Sequence, residues 1–310
     1  MTMAMDAHHE LLGLAGRAPD GWLAVARDAL AAGDMARLDE LRQALDGQPQ
    51  QSSAHHFIPQ LRGHEQADRA VVGVVSGIPG TQACWATMRN GRQRLYLVQA
   101  DGQADLPAIA QAAQQVLVSP MDSPRVEVFA PDSALPPYHE SALRASDLLW
   151  SREPPPPIRV ARTFDGSQPS GPWFNPHREL VVDPAQHAAM VQFLESGDVV
   201  LLAENRLPDV IAGHRDAVPA DLYSDGRWVW SAATTYYLKR YQLAPEPDLA
   251  AHALANPPRG PLSPLDRFHV YSALSRHDHR PPDPGRNGES PSGNSARAAS
   301  PPAKGKSSRW

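Results

Sequence analysis

Four consecutive prolines, Pro154 to Pro157, divide this chain before any other feature does. Each fixes φ near the polyproline II value and has no N–H to donate, so neither a helix interior nor a central strand can run through them. The run reads as a stiff spacer. Ile158 to Phe164 is expected as one further strand that either closes the first sheet or leads out of it, with the domain boundary in the loop that follows, 165–175. At 310 residues and 42% hydrophobic, the chain is long enough to give each part a modest core.

The first part opens with a helical hairpin within residues 1–50. Asp20 is expected to cap a helix through Leu30, Gly33 to end it, and Asp34 to cap a second helix ending near Gly47. Trp22, Leu23, Val25, Ala26, Ala29 and Leu30 line one helix, and Leu38, Leu41 and Leu45 the other. These faces need a surface to cover them: the domain that follows, a partner, or a second copy. Beyond the polar stretch 48–66, a strand-rich region is expected from Ala70 to Val75. Strands Ala83 to Met88 and Arg94 to Val98 then flank Asn90-Gly91, a pair suited to a tight hairpin turn. A helix over Leu106 to Val118 capped by Asp105, a strand over Val126 to Phe129 and a helix over Tyr138 to Trp150 complete the order β-β-β-α-β-α. That order implies one sheet with helices on one face.

In the second part, Asp183-Pro184 starts a helix that Gly197 ends. The continuous apolar run from Val199 to Leu202 predicts a buried strand within Asp198 to Ala203. Asp225-Gly226 turns the chain into a strand over Arg227 to Trp230, followed by a helix from Ala232 to Tyr241. Short helices are expected near Asp248 to Ala255 and Ser263 to Leu274. The fold class is therefore α+β. Two small mixed α/β domains, 66–164 and 176–275, are preceded by the hairpin and followed by a tail, 281–310, expected to be disordered. That tail holds six prolines, four glycines and six serines and has no aliphatic side chain larger than alanine.

Charge narrows the partners. The whole chain carries −5; its last thirty residues carry +3 and the preceding 280 therefore −8. Such a body has no general attraction for phosphate backbones, so nucleic acid is not an expected partner. Cys84 is the single cysteine, which rules out a disulfide within the chain and fits a reducing compartment. No run approaches a membrane span and the first residues lack the pattern of a secretion signal, so a cytoplasmic protein without membrane contact is expected.

Several residue groups could carry chemistry. Ser76 to Thr81 is glycine-rich but has neither the lysine of a P-loop nor dinucleotide-type spacing, and reads as a turn between strands. Cys84 beside Trp85 reads as a buried thiol. His8-His9, His55-His56 and His277-Asp278-His279 have no matching second cluster, so neither a metal nor another cofactor is expected. Glu204, Arg206, Asp209, His214, Arg215 and Asp216 share one loop between strands; that is a place for acid/base work, though an ordinary solvated loop has the same composition. Trp228 and Trp230 fall on one face of a strand, while Tyr237 and Tyr241 share a helical face with Tyr236 beside it. The candidate binding residues are Arg206, Asp209, Asp225, Arg227, Trp228, Trp230, Tyr236 and Tyr237, with no catalytic residue assigned.

Asp209, Val218-Pro219, Ser224-Asp225-Gly226, Trp228, Trp230, Tyr236-Tyr237-Leu238 and Leu243-Ala244-Pro245 follow a pattern of the form D…VP…TDGxWxWxxxxxYYLxxHGLAPD. In this the chain resembles an uncharacterised actinobacterial domain of polymorphic toxin and immunity loci. Ser224 stands for the threonine of the pattern, and Tyr241-Gln242 stand for its His-Gly. The resemblance covers residues 183–254 and implies a protein-binding accessory or immunity-like protein whose partner is another protein, without implying any catalytic residue. An acidic body suits a basic partner, because complementary charge speeds association. Two other roles fit the residues: an enzyme or toxin domain using the 204–227 loop, and a scaffold that self-associates through the N-terminal hairpin.

Overall fold

The computed structural model describes residues 2–45, 55–59, 63–117 and 125–278. The tail expected at 281–310 and most of the polar stretch 48–66 lie outside them, as does His279. Within them the class is α+β.

Three helices lead the chain: α1 (Thr2–Leu14), α2 (Asp20–Ala31) and α3 (Met35–Leu45). The expected hairpin is α2–α3. Gly33 takes φ +72 between them, and the Asp34 carboxylate caps α3 by accepting from the Arg37 amide at 3.0 Å. The preceding helix α1 is not evident in the sequence, because His8 and His9 interrupt its apolar stripe. Leu11 of α1, Leu23, Ala26 and Leu30 of α2 and Leu38 of α3 close on one another as a buried cluster. The hairpin faces are thus largely covered from within the chain; Val25 is the exception, at 45% exposed, and Asp20 starts α2 without capping it.

Next come β1 (Phe57–Ile58), α4 (Glu65–Gly77), β2 (Thr81–Arg89), β3 (Gln93–Ala100), α5 (Leu106–Gln115), β4 (Val126–Phe129), α6 (Pro137–Arg144) and β5 (Asp147–Ser151). The β2–β3 hairpin turns at Asn90-Gly91 with φ +53 and +67, as its sequence predicts. Strand β4 runs parallel to β3, while β1 and β5 pair with opposite ends of β2. Three expectations are corrected. Residues 70–75 are helical, since Val71 and Val75, one turn apart, are both fully buried and a 3.6-residue period outweighs local β propensity. The Ser76 to Thr81 turn therefore follows a helix. Helix α6 stops at Arg144, and Asp147 to Trp150 belongs to a strand instead.

Both faces of this sheet are covered, and not one. Cys84 points into the layer under α4 and α5, while Trp85 points into the layer with Leu12, Phe129 and Leu143. Neither residue has any exposure. Burial drives the Cys84 thiol up to about 12, which leaves it protonated and inert.

His8 ties α1 to the sheet, its Nε2 donating to the Val128 carbonyl at 2.8 Å. Burial holds this ring well below the usual histidine range, at about 4. A depressed folded value means that the neutral ring contributes stability above pH 6.5, lost as pH falls toward 4. The contribution is about 3 kcal/mol, at 1.36 kcal/mol per unit. His8→Gln, which keeps a donor without the titration, is expected to flatten the stability profile across that window in urea melts. An unchanged acid limb would refute the assignment.

The second sheet contains β6 (Arg159–Val160), β9 (Asp198–Leu201), β10 (Leu222–Ser224) and β11 (Trp228–Ser231), in the order β6-β11-β10-β9. A small hairpin, β7 (Gly166–Gln168) with β8 (Gly171–Trp173), stands apart, and α7 (Pro184–Glu195), α8 (Ala232–Tyr241) and α9 (Pro247–Ala255) pack around the sheet. Because β6 runs parallel to β11, with Arg159 opposite Trp228, the strand after the prolines belongs to the second sheet. The boundary therefore moves from 165–175 back to the proline run. The last helix, α10 (Pro264–Asp278), joins the two parts: Leu265 and Phe268 pack into the first core, and Val270 and Leu274 into the second.

Candidate binding surface of the second sheet

The Asp225-Gly226 turn is built by its own carboxylate. Asp225 Oδ1 accepts from the amides of Arg227 and Trp228 at 2.9 and 2.8 Å, and Gly226 takes φ +85. Its other oxygen, Oδ2, lies 2.6 Å from His252 Nε2 on α9, and Asn256 lies 3.2 Å from Nδ1 of the same ring. Asp, His and Asn in a row resemble catalytic machinery, yet both ring nitrogens are occupied and the ring packs against Phe193 and Trp228. The group fastens α9 to the turn. The sequence marks out Asp225 but not His252, because nothing in a spacing of 27 residues brings the two together.

Trp228 and Trp230 are core residues. Trp230 is wholly buried against Phe193, with its Nε1 donating to the Leu194 carbonyl. Trp228 is buried too, and the exposed Arg159 guanidinium lies 4.8 Å over its ring. Tyr237 is buried, and its hydroxyl oxygen accepts from the Val210 amide.

Asp209 has no exposure and collects four donors: the amides of Ile211 and Ala212, and the hydroxyls of Tyr236 at 2.9 Å and Tyr241 at 2.5 Å. Burial pushes its pKa up, but the hydrogen bonds from Tyr241, the two amides and Tyr236 prevail, and the carboxyl lies below the ordinary aspartate range. Tyr236 shifts the opposite way, through burial and then the bond to Asp209. This aspartate pins the 204–218 loop onto α8. Glu204, Arg206, His214, Arg215 and Asp216 remain exposed on that loop, and Arg206 bonds the Ala217 carbonyl. The polar side chains of 204–227 thus divide among separate anchors: Asp209 under α8, Asp225 on α9, and Arg227 in solvent. Among the described residues no three histidine, cysteine or carboxylate side chains gather to hold a metal, and no helix is long and apolar enough to cross a membrane.

What remains open is the far edge of the sheet. The run from Val199 to Leu202 is not a buried strand. Only Val200 enters the core; Val199 is 38% exposed, Leu201 54% and Leu202 75%. The cause is topological, since β9 is an edge strand with β10 on one side and no strand on the other among the described residues. Beside it lies an open cleft of about 670 Å³ between α7 and α8, lined by Leu194, Glu195, Pro219, Tyr223, Tyr236 and Lys239 among others. Tyr223 is the cross-strand partner of Val199, so the cleft and Val199 share one face of the sheet, while a register shift sets Leu201 opposite Leu222.

These features define an α+β protein with two sheets joined by a terminal helix and an apolar sheet edge left open. No family model, curated protein or solved structure matches the chain.

Helix α8 ends on Gln242 at φ +57. A left-handed cap costs any side chain but suits glycine. Gln242→Gly is expected to raise stability by about 0.5–1 kcal/mol, read as a higher urea midpoint with unchanged slope.

Proposed function

We propose that this chain is a protein-binding accessory, immunity-like in kind, that holds another protein on the open edge and cleft of its second sheet. The observation that carries the reading is the exposure of Val199 and Leu201 on edge strand β9 and of Leu202 just past its end. Natural sheets usually blunt such an edge, and an apolar one left open is a pairing surface. The polar residues of the resembled motif support the same reading, because Asp209, Asp225 and Tyr236 are committed to internal hydrogen bonds. The placement in an actinobacterial toxin or conflict system rests on the motif resemblance, and the acidic body favours a basic partner.

Affinity purification of the tagged full chain from its native host, at low and moderate salt, tests this. One stoichiometric protein should be retained by the natural chain and lost with Leu201→Arg. Recovery of the natural chain alone, or retention indifferent to Leu201→Arg, would defeat the reading.

A further inference from the structure

Resting on that binding reading, we propose that the partner adds an extended strand to β9, apolar where it meets Val199 and Leu201 and basic at the end that passes Glu204. Strand addition suits an edge whose one neighbour is β10 and whose exposed side chains are Val199, opposite Tyr223, and Leu201, which a register shift at Val200 sets opposite Leu222. Main-chain hydrogen bonds then supply the affinity, and alternate side chains the selectivity. An incoming strand extends the row that runs from Trp230 through Tyr223 to Val199, since those residues face one another across the sheet.

Charge sets the ends. At the start of β9 both carboxylates are already paired, Glu195 with Lys239 and Asp198 with Arg267. Past its end, Glu204 is exposed, and Asp221 receives only the Ala203 amide at 2.8 Å. Neither has a cation beside it among the described residues. A lysine or arginine leaving the apolar stretch of the added strand would meet these two carboxylates. The same charge weighs against a second copy, because two chains of −5 repel and a copy brings Glu204 no unpaired cation.

The probe is a capped, fluorescein-labelled peptide in which valine alternates with threonine between flanking lysines, titrated with the full chain by anisotropy. Saturable one-to-one binding is expected. It should weaken about tenfold with Glu204→Lys, with Leu201→Arg, or when glutamates replace the flanking lysines. Methylating the peptide's alternate amide nitrogens should abolish it. Both substituted positions are exposed, so both variants should fold, and the unchanged circular dichroism of each confirms it. Absence of saturable binding, or binding indifferent to amide methylation, overturns strand addition. A dimer mass for the natural chain that becomes monomeric with Leu201→Arg also overturns it, by giving the edge to a second copy. If a native partner is retained by the chain and lost with Leu201→Arg while the peptide fails, the binding reading survives and strand addition alone falls. If no partner is retained either, both fall.

Discussion

Trp230→Ala should cost about 3–5 kcal/mol, a large share of the stability of a typical domain. The indole has no exposed surface, stacks at 5.7 Å on Phe193 and donates to the Leu194 carbonyl. Removing it opens a ring-sized cavity and orphans a carbonyl of α7, so the transfer loss and the cavity term add. Gly197 fits the same ring: a Cβ there would run into the indole edge, which is why the chain between α7 and β9 has no side chain at that point. Urea denaturation followed by far-ultraviolet dichroism measures the loss. Trp230→Phe, which keeps most of the volume, should lose clearly less. A cost below about 1 kcal/mol for alanine would mean that the second sheet is not held by this residue.

The same tryptophan shows what the sequence makes legible. Two tryptophans spaced by two after Asp-Gly specify a turn and a strand with both rings on one face, and both features are present; that this face is buried comes from the packing. Asn90-Gly91, Asp105 before α5 and Asp183-Pro184 before α7 are equally readable, because each acts through its own backbone. Long-range placement is not. Val71 to Val75 has β propensity but lies on a helix, since the pairing edge of β2 is taken by β1 and β5. Val199 to Leu202 looks like a buried strand and is an edge, because strand order decides exposure and hydropathy does not.

The candidate site divides along the same line. Asp209, Asp225, Trp228, Trp230, Tyr236 and Tyr237 stand out in the sequence as a binding set, and the structure commits them largely to the interior. Their conspicuous pattern reflects the demands of the fold: a loop pinned by one aspartate, a turn built by another, and two rings filling a core. The open surface comes instead from unremarkable aliphatic residues. Nothing in Val199 or Leu201 taken singly marks them as accessible.

Glu127→Gln should match the tryptophan in cost, at about 3–5 kcal/mol, because it removes one partner from a buried ion pair. The carboxylate on β4 is 2% exposed and takes both arms of Arg27 from α2, at 2.9 and 2.5 Å, with His139 Nε2 at 2.9 Å. A glutamine side chain at this position would leave the Arg27 cation buried against a neutral amide, and its NH₂ group would face donors where a carboxylate oxygen accepts. Burial pushes the Glu127 carboxyl up, yet Arg27 and then His139 outweigh it and bring it down to about 2. The folded value is thus depressed from 4.5, so its stabilisation is complete above pH 4.5 and is lost as pH falls toward 2. The variant should therefore lose stability at neutral pH and show a shallower decline across that acid window. Hydrogen exchange should show α2 losing protection first, since Arg27 is one of its charged links to the sheet, beside Asp20 with Arg89 of β2. The double variant Arg27→Met/Glu127→Gln, whose amide oxygen still accepts from His139 Nε2, distinguishes the pair's net worth from the cost of stranding a charge. It should recover most of the loss, as neutral replacements of buried ion pairs commonly do. If the double variant is as unstable as Glu127→Gln, the pair itself stabilises the docking of the N-terminal helices, beyond merely avoiding an isolated charge.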